Sequence, residues 1–264
     1  MAYHLSAAKL QTYYRCNKAY YFRYERGIQG VPFFGSAALG TALHLALAQI
    51  YWDWHYQDPI PDLAWINHCW AQQTEGLSPT QINEGEAILK QYYGNFIVNQ
   101  RAIRQPLAVE GRIQGGLQIE NLEFILSGRY DRLDWLEDGL ELIDYKSTKE
   151  IETLEPVERD LQIGLYYLAL EQKYKRHLKR LSLIYLRTGE KLSFDVTPDH
   201  KQRVEATVGE LALKLRQDQA WEPKTSQHCD RCAYSRYCPA MNTQPDPLPA
   251  DAKPEPMLQL TLSL

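Results

Sequence analysis

Apolar residues recur at helical spacing along the first 105 residues of the chain. Leu10, Tyr13 and Tyr14 follow Ser6, a residue type that caps helix N-termini, so the pattern predicts a first helix that opens at Ser6. The same spacing predicts three more helices, over about 37–53, 63–73 and 79–104. The N-terminal part of the chain is therefore predicted to be mostly helical.

After Pro106 the apolar residues fall in shorter runs, which are typical of strands. The runs at 107–113, 122–130 and 140–145 predict an antiparallel meander, with a turn at Asp138-Gly139. A helix is then predicted over about 158–174, followed by strands near 181–186 and 192–196 and a helix over about 198–217. The pattern thus predicts a mixed α/β (α+β) fold.

A chain of 264 residues can bury one sizeable core with attachments. We therefore predict one domain over residues 1–241, with a helical part at about 1–105, a core at about 106–220 and a cysteine-rich segment at about 221–241. From Asn242 onward the chain is rich in proline and poor in core residues, so 242–264 is predicted to be a disordered tail.

The net charge of the chain does not exclude a nucleic-acid partner. A formal net charge of −4 and a pI of about 6.0 argue at first against a nucleic-acid partner, because phosphate attracts positive charge. Carboxylates gathered at a metal site and an acidic tail can nevertheless mask local basic clusters. One such cluster comprises Arg15, Lys18, Arg23 and Arg26. Such a cluster is as readily a solvated helix face as a binding surface.

The N-terminus lacks a signal sequence, and no apolar run approaches the roughly 20 residues that span a bilayer. We therefore expect a cytoplasmic, reduced protein without a membrane partner. Cys229, Cys232 and Cys238 are closely spaced, and Cys16 lies near the other end, which in this compartment favours metal ligation over disulfides. The spacing is compatible with zinc, a disulfide or an iron–sulfur cluster, and the alternative is a set of buried, unrelated thiols. Cys69 lies in an apolar stretch and is interpreted as a core residue.

Residues suited to metal-dependent chemistry fall on two neighbouring predicted strands. Asp144 and Lys146 share one face of a strand, with the carbonyl of Tyr145 between them. A hairpin would bring Asp131 next to Asp144, and two such carboxylates suit Mg or Mn. A bound cation stabilises charge on a phosphodiester and acidifies water, while a lysine can position or deprotonate that water. An Asp-x-Lys pattern alone is more often an ion pair.

Other polar residues strengthen this interpretation only in combination. Gln162 and Tyr166 lie four residues apart on the helix that follows the Asp-x-Lys strand. His44 ends the run Gly40-Thr41-Ala42-Leu43-His44 on a helix rich in alanine and leucine, where a lone histidine is more often a core residue. Glu110, on the strand before the hairpin, is interpreted as a surface residue, with an outer-shell carboxylate as the alternative.

In their order, these motifs resemble the RecB-like branch of the PD-(D/E)XK nuclease superfamily, and within it the exonucleases with a cysteine-bound iron–sulfur cluster, including the CRISPR-associated ones. The likeness extends from Ser6 to Cys238. It rests on the Cys16 region, residues 40–44 and 128–134, Asp144-x-Lys146, Gln162-x3-Tyr166 and the three C-terminal cysteines.

The resemblance implies a restriction-endonuclease-like core with a central mixed sheet, and a DNA exonuclease that hydrolyses single-stranded ends in repair, recombination or CRISPR adaptation. It implies that Mg or Mn is bound by His44, Asp131, Asp144 and the Tyr145 carbonyl. It also implies that Lys146 orients the attacking water and that Gln162 and Tyr166 shape the site around DNA. Finally, it implies a 4Fe–4S cluster on Cys16, Cys229, Cys232 and Cys238.

The end of the chain suggests a partner. Its last six residues look like peptides that bind the bacterial sliding clamp, with contacts from Gln259, Leu260, Leu262 and Leu264. The alternative is a strand or apolar plug that folds back on the domain. A helicase or a CRISPR integrase is another expected companion.

Two other classes of function remain open from the sequence. One is a nuclease-like DNA-binding or scaffold subunit whose metal site is dispensable, and the other is a zinc-stapled structural protein. The presence of Asp131, Asp144 and Lys146 together favours the enzyme.

Overall fold

The computed structural model describes residues 3–29, 36–148 and 156–254. Ser6 caps the first helix as predicted, since its side chain accepts a hydrogen bond from the Lys9 N–H at 3.2 Å. The N-terminal helices are α1 (Ala7–Arg15), α2 (Asn17–Tyr20), α3 (Ser36–Trp52), α4 (Leu63–Ala71) and α5 (Pro79–Phe96), and a π-helical turn, Tyr21–Glu25, extends α2. In the part of the chain that the structure describes, no helix is both long and apolar enough to cross a membrane.

The predicted end of α5 near residue 104 is wrong. The helix stops at Phe96, and the chain turns so that Ile97 is fully buried. The N–H of Ile103 then donates to the carbonyl of Pro59 at 2.8 Å. Apolar residues continue past the helix because this irregular segment also packs on the core.

Six strands form one mixed sheet. They are β1 (Tyr3–Leu5), β2 (Ala108–Ile119), β3 (Leu122–Leu136), β4 (Gly139–Lys146), β5 (Leu178–Tyr185) and β6 (Glu190–Asp195). The meander β2–β3–β4 is antiparallel, as predicted, although β2 and β3 are longer than the apolar runs indicated. β4 pairs with β5 in parallel, and α6 (Pro156–Tyr174) connects them. The strand order is β1–β3–β4–β5–β6, with β2 on β3.

Helices cover both faces of the sheet, which confirms the predicted fold class. α1, α6 and α7 (Pro198–Gln217) share one core cluster with the sheet, which includes Leu142, Leu165 and Val208. α3, α4 and α5 form the second cluster with the opposite face, and Cys69 is fully buried there. Of the site residues predicted from the sequence, Asp131 lies on β3 and Asp144, Tyr145 and Lys146 lie on β4, whereas His44 lies on α3 and Gln162 and Tyr166 lie on α6.

A third cluster joins the two ends of the described chain. Tyr21 and Phe22 pack there against Tyr234 and Tyr237, and the later residues Leu248 and Ala252 pack on the same cluster. Residues 242–254, for which the sequence predicts disorder, thus contact the body of the protein without forming a helix or strand. Their backbone is tied down, because the Lys253 N–H donates to the Arg26 carbonyl at 2.8 Å and the Arg26 side chain returns a bond to the Lys253 carbonyl.

Candidate active site

The β3–β4 hairpin sets the position of the two predicted aspartates. The backbone ladder ends at the pair Arg132 and Ile143, one position before Asp131 and Asp144. Asp131 Oδ2 accepts the N–H of Tyr145 at 2.6 Å, so its carboxylate bridges to β4 where backbone pairing stops. The structure thus brings Asp131 beside the Asp-x-Lys strand, as the hairpin predicted.

Asp144 and Lys146 face the same side of β4. Lys146 Nζ lies 2.5 Å from Asp144 Oδ2, and the amide of Gln162 donates to Asp144 Oδ1 at 3.4 Å. The Asp144 side chain is only 13% exposed. Burial therefore raises the pKa of Asp144, and the charge of Asp131 raises it further against the opposing effect of Lys146.

Tyr145 points to the other side of the sheet, as strand alternation requires. Its hydroxyl accepts a bond from buried Arg132 at 2.9 Å and lies 3.3 Å from the hydroxyl of Tyr92. The side chain of Tyr145 thus anchors β4 to the helical layer, and its main chain lies between the two residues of the Asp-x-Lys pair.

His44 and Glu110 complete the acidic cleft. His44 Nδ1 lies 3.2 Å from Asp131 Oδ1 and 3.9 Å from Glu110 Oε1. Within the described ranges, His44, Glu110 and Asp131 are the only three residues whose potential ligand atoms all lie within 4.8 Å of one another. They line a cavity of about 340 Å³ together with Gly40, Arg129 and Ser147.

Glu110 is the site residue that the sequence interpretation undervalued. The register of β2 on β3 places it across from Asp131, since Val109 faces Arg132 and Gly111 faces Tyr130. Its backbone lies in the left-handed region at φ 46°, a strained conformation for glutamate. Its position on the strand next to the hairpin was the available signal, because an antiparallel neighbour of Asp131 must lie beside it.

The two carboxylate oxygens of Glu110 differ in their contacts. Oε2 lies 2.7 Å from an Arg129 nitrogen, whereas Oε1 is buried and has no hydrogen-bond partner among the described residues. Burial tends to lower the pKa of His44, but the hydrogen bond and charge of Asp131 and the charge of Glu110 raise it overall. The cleft is therefore an electronegative site that a cation fits, with one oxygen left unsatisfied.

Gln162 and Tyr166 lie on one face of α6, toward the cleft. Both are buried, and the Tyr166 hydroxyl donates to the Arg129 carbonyl at 2.7 Å. Burial raises the pKa of Tyr166 above its usual range, and the charges of Asp144 and Asp131 add to the effect. At neutral pH this residue is therefore a neutral hydrogen-bond donor beside the carboxylates.

Four of the cysteines lie around a second cavity, whose lining residues differ from those of the cleft. Cys16, Cys229, Cys232 and Cys238 line one cavity of about 310 Å³, where α1 meets the C-terminal segment. Burial raises the pKa of Cys232, and the charges of the other three thiol groups raise it further. Across the described chain, no three of these sulfur atoms lie within 4.8 Å of one another. The proposed clamp contacts, Gln259 to Leu264, lie outside the described residues.

Comparison with known proteins gives one family and a fold likeness. The model of the PD-(D/E)XK nuclease superfamily matches residues 4–239 of the chain. No curated protein matches the sequence significantly. The solved structure of SSO0001 is 15% identical, and the likeness covers 92% of this chain and 89% of that chain with a TM-score of 0.46. A structure of a candidate exonuclease from Eubacterium rectale is 13% identical, with 88% of each chain covered and a TM-score of 0.49.

Proposed function

Because the chain belongs to the PD-(D/E)XK nuclease superfamily, we propose that it is a metal-dependent DNA exonuclease of the RecB-like branch. It hydrolyses phosphodiester bonds at the ends of single-stranded DNA. The observation that carries the proposal is the convergence of His44, Glu110 and Asp131 beside the Asp144–Lys146 pair.

Nucleases of this superfamily use divalent metals, and the cleft suits one. The buried Oε1 of Glu110 is the strongest sign, because among the described residues it accepts no hydrogen bond and His44 Nδ1 lies 3.9 Å away, so a cation would satisfy it. His44, Glu110 and Asp131 are the proposed protein ligands, with Asp144 and the Tyr145 carbonyl as further oxygen donors. Such a set of carboxylates with one imidazole suits Mg or Mn. When bound, the cation supplies charge stabilisation at the phosphate and a more acidic water.

The neighbouring side chains have distinct proposed roles. Lys146, held by Asp144, orients the attacking water and offsets negative charge that develops on the phosphate. Gln162 holds Asp144 in place, and Tyr166 supports β3 through the Arg129 carbonyl. The exposed guanidinium of Arg129, which is 58% accessible, lies at the mouth of the cleft, where a DNA phosphate can reach it.

We propose that the four cysteines hold a 4Fe–4S cluster that ties α1 to the C-terminal segment. Their shared cavity supports this ligand set. Tetrahedral zinc at a Zn–S distance of about 2.3 Å needs sulfur atoms about 3.8 Å apart. A 4Fe–4S cluster takes four cysteine thiolates, which is the number that line this cavity. The cluster has a structural role, since hydrolysis transfers no electrons.

The single nuclease domain over 1–241 and its cellular setting are part of the same proposal. Repair, recombination and CRISPR adaptation all suit a nuclease that acts on single strands, with a helicase or an integrase as partner. Sliding-clamp binding through Gln259, Leu260, Leu262 and Leu264 is proposed from the sequence alone. Deletion of residues 259–264 is expected to abolish clamp capture in a pull-down, and unchanged capture would exclude this contact.

The test of function uses protein purified without oxygen and DNA labelled at one end. Single-stranded DNA should shorten progressively from its ends with Mn and remain intact with a chelator, and duplex DNA should be cut more slowly. Lys146→Ala should bind DNA but not cut it. Internal cutting would exclude an exonuclease, and a wild type that binds but never cuts would indicate a scaffold. Visible absorbance of the same sample distinguishes an iron–sulfur cluster from zinc.

A further inference from the structure

We propose that Glu158 is a positioning residue that couples the cysteine-lined cavity to the catalytic carboxylate of Asp144. The inference rests on the proposed nuclease function. It concerns an ion pair that joins α1 to the first turn of α6 and that no step of the hydrolysis uses.

Glu158 is a buried carboxylate, with a side chain only 4% exposed. Both of its oxygens are engaged by Arg15, since Nε donates to Oε1 and a terminal nitrogen donates to Oε2 at 3.2 Å. Its backbone carbonyl also accepts the side-chain amide of Gln11 at 2.8 Å. Two residues of α1 thus hold the N-terminal turn of α6 by both its side chain and its backbone.

The same face of α6 reaches the active site. Glu158, Gln162 and Tyr166 follow one another at four-residue spacing, so they form one stripe along the helix, with about 6 Å between successive residues. Gln162 donates to Asp144 at 3.4 Å, close to the limit of a hydrogen bond. A small shift of the helix start would therefore break the contact of Gln162 with Asp144.

At the other side of the ion pair, Arg15 lies next to the cysteine cavity. Arg15 is the last residue of α1, Cys16 follows it, and both line the cysteine cavity. The Lys224 N–H lies 3.5 Å from the Cys16 sulfur, so this turn is in contact with the C-terminal segment. The position of Arg15, and through it that of Glu158, thus depends on the anchoring of Cys16.

A purely stabilising ion pair is the competing explanation, and it predicts different measurements. If the pair only stabilises the fold, Glu158→Gln lowers stability and leaves the chemical step unchanged, because Arg15 loses its carboxylate partner. If the pair positions α6, its loss lowers the rate of the chemical step, whereas the protein stays folded and its affinity for DNA is unchanged. The maximal rate must therefore be separated from KM and from stability.

The experiment compares Glu158→Gln with Glu210→Gln, the same exchange in the exposed Lys214–Glu210 pair of α7. Glu158→Gln should lower kcat by about 10- to 100-fold, since misplacement of about 1 Å has that cost, with KM within about threefold of wild type. Arg15→Ala should lower kcat similarly, and the double variant should lose little more, because both changes break one link. Glu210→Gln should match wild type.

Hydrogen exchange measured by mass spectrometry gives a readout that does not depend on cutting. Exchange should rise in peptides covering 156–166 of both Glu158→Gln and Arg15→Ala, and stay unchanged in α7. The inference is overturned if kcat of Glu158→Gln stays within twofold of the control. It is also overturned if kcat falls only in proportion to lost folded protein or lost visible absorbance. A wild type that cuts no DNA refutes the proposed function instead, and the exchange data then still decide whether Arg15 holds α6.

Discussion

The acidic cleft and the cysteine end of the molecule use carboxylates in opposite ways. At the cysteine end, Asp218 accepts four hydrogen bonds and has every acceptor direction filled. They come from the Tyr13 hydroxyl at 2.9 Å, the Asn17 amide at 2.6 Å and the backbone N–H groups of Ala220 and Trp221 at 3.1 and 2.9 Å. In the cleft, by contrast, one buried oxygen of Glu110 accepts no hydrogen bond from any residue that the structure describes.

The pKa shifts follow the same division. Burial tends to raise the pKa of Asp218, but the donated hydrogen bonds outweigh it and lower the pKa. For Asp144 burial wins over the attraction of Lys146, and the pKa rises. The fold thus stabilises the charged carboxylate of Asp218, near the joined chain ends. It destabilises the charged carboxylate of Asp144, where a cation is proposed to bind. Sites that bind or catalyse commonly give up stability in this way.

Asp144→Asn should have the largest effect on cutting. If the carboxylates of the cleft differ from Asp218 as described, this substitution lowers activity without lowering stability. Cutting should fall by at least about 1000-fold, because the lost carboxylate is a proposed metal ligand and pairs with Lys146. The free energy of unfolding should stay equal or rise, since a raised pKa means that the buried charge is unfavourable. Nuclease assays and thermal unfolding check this, and a clear loss of stability would contradict it.

Asp218→Ala should have the opposite effect: it should lower stability and leave the dependence of cutting on Mn unchanged. Removal of the carboxylate leaves the Asn17 amide and the Tyr13 hydroxyl without their acceptor, at a cost of about 2 kcal/mol. Denaturant unfolding measures the change, and the concentration of Mn needed for half-maximal cutting should be unaltered. A stability equal to wild type would show that Asp218 does not tie the chain ends.

Glu110→Gln tests whether the cleft is a cation site that includes this residue. The amide keeps the shape and a partner for Arg129 but loses the charge, so Mn affinity should fall about 10-fold. Titration calorimetry on DNA-free protein measures it directly. Gln118, an exposed residue of the same strand, supplies the control as Gln118→Glu, which should leave Mn affinity unchanged. Equal Mn affinity in Glu110→Gln would remove Glu110 from the ligand set.

The pH dependence of stability should show the smallest effect. Since folding lowers the pKa of Asp218, its stabilising contribution is present above the unfolded value of about 3.9 and is lost as pH falls through the lower folded value. The difference in unfolding free energy between wild type and Asp218→Asn should be constant from about pH 5 to 7 and shrink below about pH 4. A difference that grew on acidification would have the wrong sign.

Periodicity predicted elements well where each had its own boundary signals. The last helix matches its predicted range, 198–217, because Pro198 opens it and Thr197 caps it. The prediction for α5 overran because apolar residues after Phe96 pack on the core without a helix. The local pattern of apolar residues indicates that a residue is buried, but it does not indicate the backbone conformation in which that residue is buried.

The residues of the candidate site also differ in whether a local pattern could identify them. Asp131, Asp144, Lys146 and His44 could be chosen from motifs, whereas Glu110 could not, since its role depends on the register of β2 against β3. The packing of Leu248 and Ala252 on the third cluster was likewise not predicted, because a proline-rich composition gives no information about a surface elsewhere in the fold.

The sequence by itself determined the order of the longer helices and strands from β2 onward and the nuclease superfamily, because these follow from periodicities of two and 3.6 residues and from short motifs. The short strand β1 and the helix α2 were not predicted. Tertiary structure alone decided that Glu110 faces Asp131, that Arg15 binds Glu158 and that Leu248 and Ala252 pack on the third cluster. Each of these is a contact between residues distant along the chain. Such contacts depend on how whole elements pack, and no local pattern of residues encodes that.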